Sequence, residues 1–215
     1  MARESPDRLL STGLQALLHR PPREQELAAF TRYLELLLQW NRIYSFTAYR
    51  EPVAIVQKLF LDSLLFRQFL PPRRVRLMDL GSGVGIPGIP LKVVESELEV
   101  ALVDARRRRS AFLSTVVREL ALDHTEVLHG KAGRLLAEHP ELEARYDAVV
   151  SRAVSRPEAL VPLVMRFLRK GGVFVASGPP VEKWTGPPSN VGSWVTVPSP
   201  LGPRLRYFFV VEKTH

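Results

Sequence analysis

The chain has 215 residues, of which 46% are hydrophobic, and it carries a formal net charge of +8. This length and apolar content suit one α/β domain with an added helical segment and argue against a disordered chain. The absence of cysteine excludes disulfides and thiolate metal sites. The basic charge favours an anionic partner, and nucleic acid is the first expectation.

Three further features set expectations about location, metal binding and assembly. No apolar run reaches the roughly 18 residues of a membrane span, and the N-terminus lacks the apolar core of a signal peptide, so we expect a cytoplasmic protein. None of the 5 histidines clusters with acids, so we expect no metal. No amphipathic helix is left without a packing partner in the predicted fold, so we expect a monomer.

Residues 1 to 72 are predicted to form a helical segment, the first of two domains. Leucines at helical spacing indicate one helix before a Pro-Pro pair, and a second helix is predicted from about residue 23 to residue 40. Residues 41 to 50 are predicted as a loop, and Pro52 suits the first turn of a third helix. Because buried acids are usually paired, Asp62 in that apolar helix indicates a cap or a salt bridge across the domain boundary, or a role near a substrate.

Residues 73 to 215 form the second predicted domain, in which strands alternate with helices as in a mainly parallel sheet. The predicted strands cover residues 75–80, 100–103, 125–128, 148–151 and 173–177, followed by an antiparallel pair at 194–197 and 207–211. Helices are predicted from residue 106 or 107 to 120 and from 157 to 168, the second ending at a Gly171-Gly172 cap. The expected fold class is α/β, with a mainly parallel seven-stranded sheet.

The segment MDLGSGVGIPGIPL, residues 78 to 91, predicts a strand, a glycine loop and a helix. Glycines permit a tight turn and a close approach of the backbone to a ligand. Ile86 replaces the last glycine of the dinucleotide-binding pattern G-x-G-x-x-G. With Asp79 in the strand and Asp104 closing the next strand, the segment is similar to S-adenosylmethionine-dependent methyltransferases, whose second acid accepts hydrogen bonds from the ribose hydroxyls. A glycine turn of another doubly wound protein is the alternative.

Ligands of open α/β sheets bind outside the carboxyl ends of the strands, where Arg152 and the arginines at 106 to 109 are expected. Arg152 follows a predicted strand, and its fork of donors can fix a carboxylate or a guanine, or can form a structural ion pair. The arginines at 106 to 109 open a helix, where they are either solvated or hold RNA phosphates. The arginines between residues 73 and 76 are a second candidate for phosphates.

Five segments are specific enough to indicate a family. The chain resembles the glucose-inhibited division protein B family, bacterial methyltransferases that modify guanine N7 in small-subunit (16S) ribosomal RNA. The resemblance runs from about residue 34 to residue 213. It rests on DLGSGVGIPGIPL (79–91), LVDARRRRSAFL (102–113), YDAVVSRAV (146–154), LRKGGVF (168–174) and RYFFVVEK (206–213).

The resemblance implies a Rossmann-like class I methyltransferase fold with an N-terminal helical extension. It implies S-adenosyl-L-methionine as the cofactor and small-subunit ribosomal RNA, or the small ribosomal subunit, as the partner. Catalytic roles are predicted for Arg152 and Ser177. The predicted cofactor-binding residues are Asp79, Gly81, Ser82, Gly83, Gly85, Ile86, Asp104, Ala105, Arg106, Ala132, Gly133 and Arg152.

The chain departs from the family pattern at four places. Ser45-Phe46-Thr47 stands where the family has Asn-Leu-Thr, and Leu59 stands where it has His. Gly133 replaces an acid near the adenine, and Ser177-Gly178 replaces Lys-Gly, whose lysine is a candidate for orienting the RNA. These changes keep two alternatives open: a methyltransferase of another substrate, and a non-catalytic RNA- or ribosome-binding relative.

The implied reaction needs little acid–base chemistry. Guanine N7 has a lone pair and no proton at neutral pH, so it can attack a sulfonium methyl group without a general base. The enzyme mainly aligns the two reacting atoms and excludes water. Because RNA helices hide the base edge that carries N7, we expect an unpaired guanosine as the target.

Overall fold

The computed structural model describes residues 5–72, 74–178, 191–200, 202 and 205–214. Its strands are β1 (Arg76–Leu80), β2 (Glu99–Asp104), β3 (Thr125–His129), β4 (Tyr146–Arg152), β5 (Leu168–Ser177), β6 (Ser193–Pro198) and β7 (Leu205–Glu212). They form a seven-stranded sheet in the order β3-β2-β1-β4-β5-β7-β6. β1 to β5 pair in parallel, and β7 runs antiparallel to β5 and β6. The predicted fold class is confirmed.

Three helical segments precede the sheet. α1 (Pro6–Leu18) begins after Ser5, whose hydroxyl oxygen accepts a hydrogen bond from the backbone N–H of Arg8. Such N-terminal caps satisfy a helix donor that has no partner inside the helix. The remaining segments are α2 (Glu24–Tyr44) and α3 (Pro52–Ile55), which continues as a π-helix (Val56–Leu61) and then a 3-10 helix (Leu64–Phe69).

The helix α2 extends to Tyr44, so the loop predicted from residue 41 begins too early. The physical reason is Asn41, which is buried and holds the following chain against the helix. Its side chain accepts the N–H of Thr47 at 2.9 Å and donates to the carbonyl of Tyr49 at 3.0 Å. Ser45 caps the end of the helix with a left-handed φ of 50°.

The other helices connect the strands, and one of them differs from its prediction. They are α4 (Gly88–Val94), α5 (Arg107–Glu119), the unpredicted α6 (Ala132–Glu138) and α7 (Val161–Phe167). The helix predicted over residues 157 to 168 is a 3-10 helix (Pro157–Leu160) followed by α7. Leu168 is fully buried in extended backbone and already pairs with β4, so Gly171 and Gly172 lie within β5 and do not cap a helix.

The ligand crevice is set by the order of the strands. From β1 the chain moves outward to β2 and β3, and it then returns to β4 on the other side of β1. In open α/β sheets such a reversal leaves a crevice at the carboxyl ends of the two neighbouring strands. The loops after β1 and β4 therefore border the expected site.

One hydrophobic core includes residues of both predicted domains. Phe30 and Phe60 of the helical segment belong to the same buried cluster as Leu77 of β1 and Phe112 of α5. Met78, the next residue of β1, belongs to a second cluster on the other face of the sheet, as alternate strand residues do. The division at residue 72 is therefore not a break in the core, and we propose that the two parts unfold together.

Tyr33 joins the helical segment to the glycine loop, and Tyr33→Phe tests this contact. The buried hydroxyl of Tyr33 donates to the carbonyl of Val84. We expect the variant to lose about 1 kcal/mol in the free energy of unfolding, because the carbonyl loses a buried donor. Urea unfolding followed by fluorescence and far-ultraviolet dichroism measures this, and coincident transitions support joint unfolding. The control Tyr44→Phe changes an exposed ring and should stay within about 0.5 kcal/mol; equal losses in both variants contradict the prediction.

Candidate cofactor-binding site

The glycine loop after β1 depends on left-handed backbone. Gly81, Gly83 and Gly85 have φ values of 75°, 62° and 90°, a region that side chains with a Cβ rarely occupy. A Cβ on Gly85 would also lie 2.3 Å from Ile89 Cδ1 and 3.0 Å from the hydroxyl of Tyr33. The G-x-G-x-G spacing therefore reflects the turn itself as well as any ligand.

Asp79 is fully buried in β1, next to the loop. Its Oδ2 accepts the N–H of Gly88 at 2.8 Å, whereas its Oδ1 is buried without a hydrogen-bond partner among the described residues. Burial raises the pKa of Asp79 to about 7, and the hydrogen bond from Gly88 opposes this rise. Buried polar atoms are rarely left unpaired, so this acceptor fits a site that receives a donor from a ligand or water.

Asp104 joins the end of β2 to the glycine loop. Its Oδ2 accepts the N–H of Gly83 at 2.9 Å, and its Oδ1 accepts the N–H of Arg106 at 2.8 Å. Arg109 Nη1 lies 3.6 Å from Oδ2. A carboxylate offers about four acceptor positions, so Asp104 can accept further hydrogen bonds while it holds the loop.

Two glycines border open space at the carboxyl edge of the sheet. A Cβ added to Gly81 would have nothing within 4 Å, and one added to Gly133 would meet only Leu163 Cδ1, at 4.0 Å. Gly133 lies in the first turn of α6, which follows β3. Neither position is filled by the chain itself, which leaves room for a ligand at this edge of the sheet.

The remaining predicted cofactor residues differ in exposure. Ala105 and Arg106 are exposed after β2, and Ala132 is half-buried at the start of α6. Ser82 and Ile86 are buried, and the Ser82 hydroxyl donates to a backbone carbonyl of β1 at 2.7 Å. The side chains of Ser82 and Ile86 thus support the loop from within, and all of these ligand contacts stay predictions.

Arg152 ends β4, and its guanidinium contacts the helical segment. Its Nη2 lies 2.9 Å from Asp62 Oδ2 and also donates to the carbonyl of Lys58. Arg206 of β7 places Nε 2.9 Å from Asp62 Oδ1 without hydrogen-bond geometry. Burial lowers the pKa of Arg152, and Asp62 opposes this shift. The predicted salt bridge of Asp62 across the boundary is confirmed, whereas the cofactor and catalytic roles of Arg152 stay predictions.

Ser177 lies at the carboxyl end of β5 and is fully buried. Its hydroxyl oxygen accepts the N–H of Ala153 at 3.4 Å, and its carbonyl accepts the N–H of Val154 at 3.2 Å. These contacts hold the loop that follows Arg152. The geometry supports a structural part for Ser177, and its catalytic role stays a prediction.

The two groups of arginines lie at opposite ends of the strands. Arg74 and Arg76 pair with Glu99 at distances of 2.9 Å and 3.1 Å, at the amino ends of β1 and β2. They are therefore away from the loops that border the crevice, and Arg73 lies outside the described residues. The arginines at 106 to 109 begin α5 at the carboxyl edge, beside Asp104.

Three residues that support the site were not predicted: Tyr33, Asn41 and Arg206. Tyr33 falls in the apolar stripe of α2, and a buried phenol needs a partner for its hydroxyl. Arg206 is the second residue of the largely apolar strand β7, and a buried arginine is rare unless it is paired. These signals indicate that each side chain has a partner, but no periodicity identifies which partner it is.

The strand order, the glycine loop after β1 and the acids Asp79 and Asp104 define the class of the fold, which is that of the class I methyltransferases. More narrowly, the chain belongs to the family described as rRNA small subunit methyltransferase G (GidB), which matches residues 26–178. The resemblance inferred from the sequence is thereby confirmed.

Two relatives named Ribosomal RNA small subunit methyltransferase G illustrate the similarity. The protein of Clostridium tetani is 36% identical over 162 residues, which cover 74% of this chain and 67% of the relative. That of Lachnoclostridium phytofermentans is 37% identical over 168 residues, which cover 77% of this chain and 69% of the relative. In both, the similarity extends over about two thirds of the relative's length.

Solved structures share the fold at low sequence identity. A SAM-dependent methyltransferase from Aquifex aeolicus has a TM-score of 0.55 at 15% identity and covers 75% of this chain and 93% of its own. The [4+2]-cyclase SpnF has a TM-score of 0.55 at 14% identity and covers 88% of this chain and 96% of its own. The cyclase illustrates that one fold hosts different activities, so these two comparisons show the fold alone.

Among the described residues, no helix is long and apolar enough to cross a membrane. No three histidine, aspartate or glutamate side chains in the same described ranges group as metal ligands. The expected cytoplasmic location and monomeric state stay predictions.

Asp79→Asn tests the buried carboxyl. The folded-state pKa of about 7 exceeds the ordinary 3.8, so proton uptake by Asp79 stabilises the fold below about pH 4, and this contribution is lost as the pH rises to about 7. Asparagine keeps an acceptor for Gly88 without a charge. We therefore expect the variant to be more stable than the wild type at pH 8, by up to about 4 kcal/mol, and to be closely similar near pH 4. Urea unfolding at the two pH values measures the difference.

Asp147→Asn is the matched control for this prediction. Asp147 is also a buried strand acid, but it accepts the N–H of Arg76 and lies 2.5 Å from Arg169 Nε. Removal of its charge should lower the stability at pH 8, because the arginine loses its partner. A loss of stability at pH 8 in both variants contradicts the assignment of a strained, unpaired carboxyl to Asp79.

Proposed function

We propose that this chain transfers the methyl group of S-adenosyl-L-methionine to N7 of a guanosine in small-subunit ribosomal RNA. Membership of the family supplies the class of reaction. The observation that carries the proposal in this chain is Asp104, which holds the glycine loop through Gly83 and keeps acceptor capacity at the open edge of the sheet. A loop held in this way is ready to bind a nucleoside.

The residues present fit the cofactor. Asp104 would accept hydrogen bonds from the ribose hydroxyls with the lone pairs that its two backbone contacts leave unused. The open space beside Gly81 would take the methionine end, and Ala132 at the start of α6 would pack on the adenine. When bound, S-adenosyl-L-methionine supplies an electrophilic methyl group on a sulfonium centre.

The residues of this chain have two tasks in the proposed reaction: they align guanine N7 with the methyl group, and they exclude water. Guanine N7 carries no proton at neutral pH, so no side chain has to remove one. Arg152, held by Asp62, is proposed to orient the guanine or the carboxylate of the cofactor with its donor fork. Ser177 supports the loop behind Arg152, because its hydroxyl is buried against Ala153.

The proposed partner is an unpaired segment of small-subunit ribosomal RNA, and the net charge of +8 supports a polyanionic substrate. A cytoplasmic location and a monomeric state complete the proposal. Gly133 and Ser177, which replace an acid and a lysine of the family pattern, favour one alternative: a relative that binds RNA and the cofactor without methyl transfer.

Calorimetric titration with S-adenosyl-L-methionine, followed by tritium transfer to small ribosomal subunits that lack N7-methylguanine, tests the proposal. We expect binding, and transfer to a single guanosine. Asp104→Ala should abolish detectable cofactor binding, because the variant loses both the ribose acceptor and the anchor of the loop. Cofactor binding without transfer supports the non-catalytic alternative, and no binding at millimolar cofactor overturns the proposal.

Gly133→Glu is predicted to tighten cofactor binding. Gly133 is exposed, and an added Cβ would meet no atom closer than 4.0 Å, so a side chain fits without strain. A carboxylate in the first turn of α6 interacts favourably with the positive end of the helix dipole. It can also accept a hydrogen bond from the adenine amino group. We expect the Kd for S-adenosyl-L-methionine to fall by roughly fivefold, the worth of about one hydrogen bond. Gly133→Ala is the control, because it adds the Cβ alone; an equal change in both variants refutes the carboxylate contact.

A further inference from the structure

An exposed aromatic surface lies between the end of α2 and the start of α5. Ile43 is 73% exposed and Tyr44 is 39% exposed, although both are large apolar side chains. The guanidinium of Arg108 lies over the Tyr44 ring, 5.2 Å from its centroid. We call Ile43, Tyr44, Phe46 and Arg108 the ring–arginine patch. The fold does not require this exposure, because α2 already contributes its apolar stripe to the core.

The rings of the patch are held in place from below. Phe46 stacks on Tyr44 with centroids 5.5 Å apart and planes 20° apart, and it contacts Phe112 of α5 at 5.7 Å. Trp40 supports both Tyr44 and Phe46, at 5.5 Å and 6.1 Å. A continuous series of rings therefore runs from the core to the surface and ends under the arginine.

Positive charges outnumber negative charges around the patch. Of the arginines at 106 to 109, Arg109 alone forms a salt bridge within the described ranges, with Asp104. Arg106, Arg107 and Arg108 are exposed at the start of α5, where the helix dipole disfavours positive charge. A polyanion at this place would relieve the repulsion, and rings next to it provide a surface for bases.

Two short stretches of chain connect the patch to the cofactor site. The backbone N–H of Arg106 donates to Asp104, the proposed ribose acceptor. The loop that follows Tyr44 is held by Asn41 and brings Tyr49 close enough to Arg152 for an electrostatic interaction. An RNA strand on the patch would therefore lie beside the crevice and not on a remote face.

We propose that the ring–arginine patch stacks an unpaired base of the ribosomal RNA next to the target guanosine, with Arg108 contacting the base plane and a phosphate. The proposal rests on the proposed function and names the surface that receives its substrate. Stacking on aromatic rings and guanidinium planes tolerates any base and is how proteins commonly hold single-stranded RNA. The aromatic residue Phe46, which stands where the family pattern has leucine, strengthens this stack in the present chain.

Fluorescence anisotropy with a labelled single-stranded uridine RNA of roughly 12 nucleotides tests the patch. We expect Tyr44→Ala to weaken binding by roughly tenfold, as base stacking on one ring predicts, and Tyr44→Phe to stay within about twofold of the wild type. Arg108→Ala should also weaken binding and lower its salt dependence. Arg118→Ala is the matched control, because Arg118 is exposed at the other end of α5 and should leave RNA affinity unchanged.

An abasic version of the same RNA separates stacking from simple charge attraction. Loss of the bases should weaken binding by the wild type more than binding by Tyr44→Ala, because the variant has already lost the ring from the stack. Calorimetry with S-adenosyl-L-methionine verifies that each variant is folded, because none of the substituted residues is among the proposed cofactor contacts.

Two results overturn the patch proposal: a wild type that does not bind the uridine RNA, and RNA affinity that is equal in the wild type and Tyr44→Ala. If Tyr44→Ala loses transfer to small subunits but keeps its RNA affinity, the patch meets a ribosomal protein, which also overturns the proposal. The proposed function is judged separately by transfer with the wild type. A wild type without transfer refutes that function, while the uridine measurement still decides the patch.

Discussion

The shape of the cofactor site depends on one buried hydrogen bond, which joins the carboxyl group of Asp79 to the first backbone N–H of α4. Asp79 Oδ2 accepts the N–H of Gly88, and a Cβ on Gly88 would lie 2.8 Å from that oxygen and 2.6 Å from Leu102 Cδ2. The helix α4 can approach β1 so closely only because Gly88 has no side chain. The loop between them is then short and must turn through left-handed glycines. Asp104 fixes the middle of this loop from the neighbouring strand, so two acids on two strands determine the shape of the site.

The helical segment is part of this arrangement and not an appendage. Tyr33 of α2 reaches the carbonyl of Val84 in the loop, and Asp62 lies between Arg152 of β4 and Arg206 of β7. These contacts connect the helices to both borders of the crevice. Because a buried ion pair is costly to separate, Asp62 keeps the Arg152 side chain oriented and compensates the charge of its guanidinium. The helical segment therefore helps to position the glycine loop and Arg152.

The sequence was sufficient for the centre of the sheet because β1, β2 and β4 are largely apolar and buried on both faces. The edge strand β3 is only half-buried. The predicted strands and the glycine loop required no tertiary information. The end of α2 did require tertiary information. Asparagine is typical of loops, and only the contacts of the Asn41 side chain with Thr47 and Tyr49 show why it lies in the helix. The same applies to Arg152, whose place at a strand end was evident but whose partner Asp62 lies 90 residues away. Local pattern predicts elements, whereas side-chain partners that are distant in sequence follow from packing.

The proposed reaction needs no general base, and the predicted site residues provide none. In the proposed complex Asp104 is occupied by two backbone amides and the ribose hydroxyls, and Asp79 is fully buried within β1, so neither carboxyl contacts the guanine. Arg152 stays protonated beside Asp62, and Ser177 is buried. A reaction that needed a general base would find none among these predicted residues. Methyl transfer to guanine N7 needs none, because the nucleophile is a lone pair that is already available, and a site built for alignment alone is sufficient.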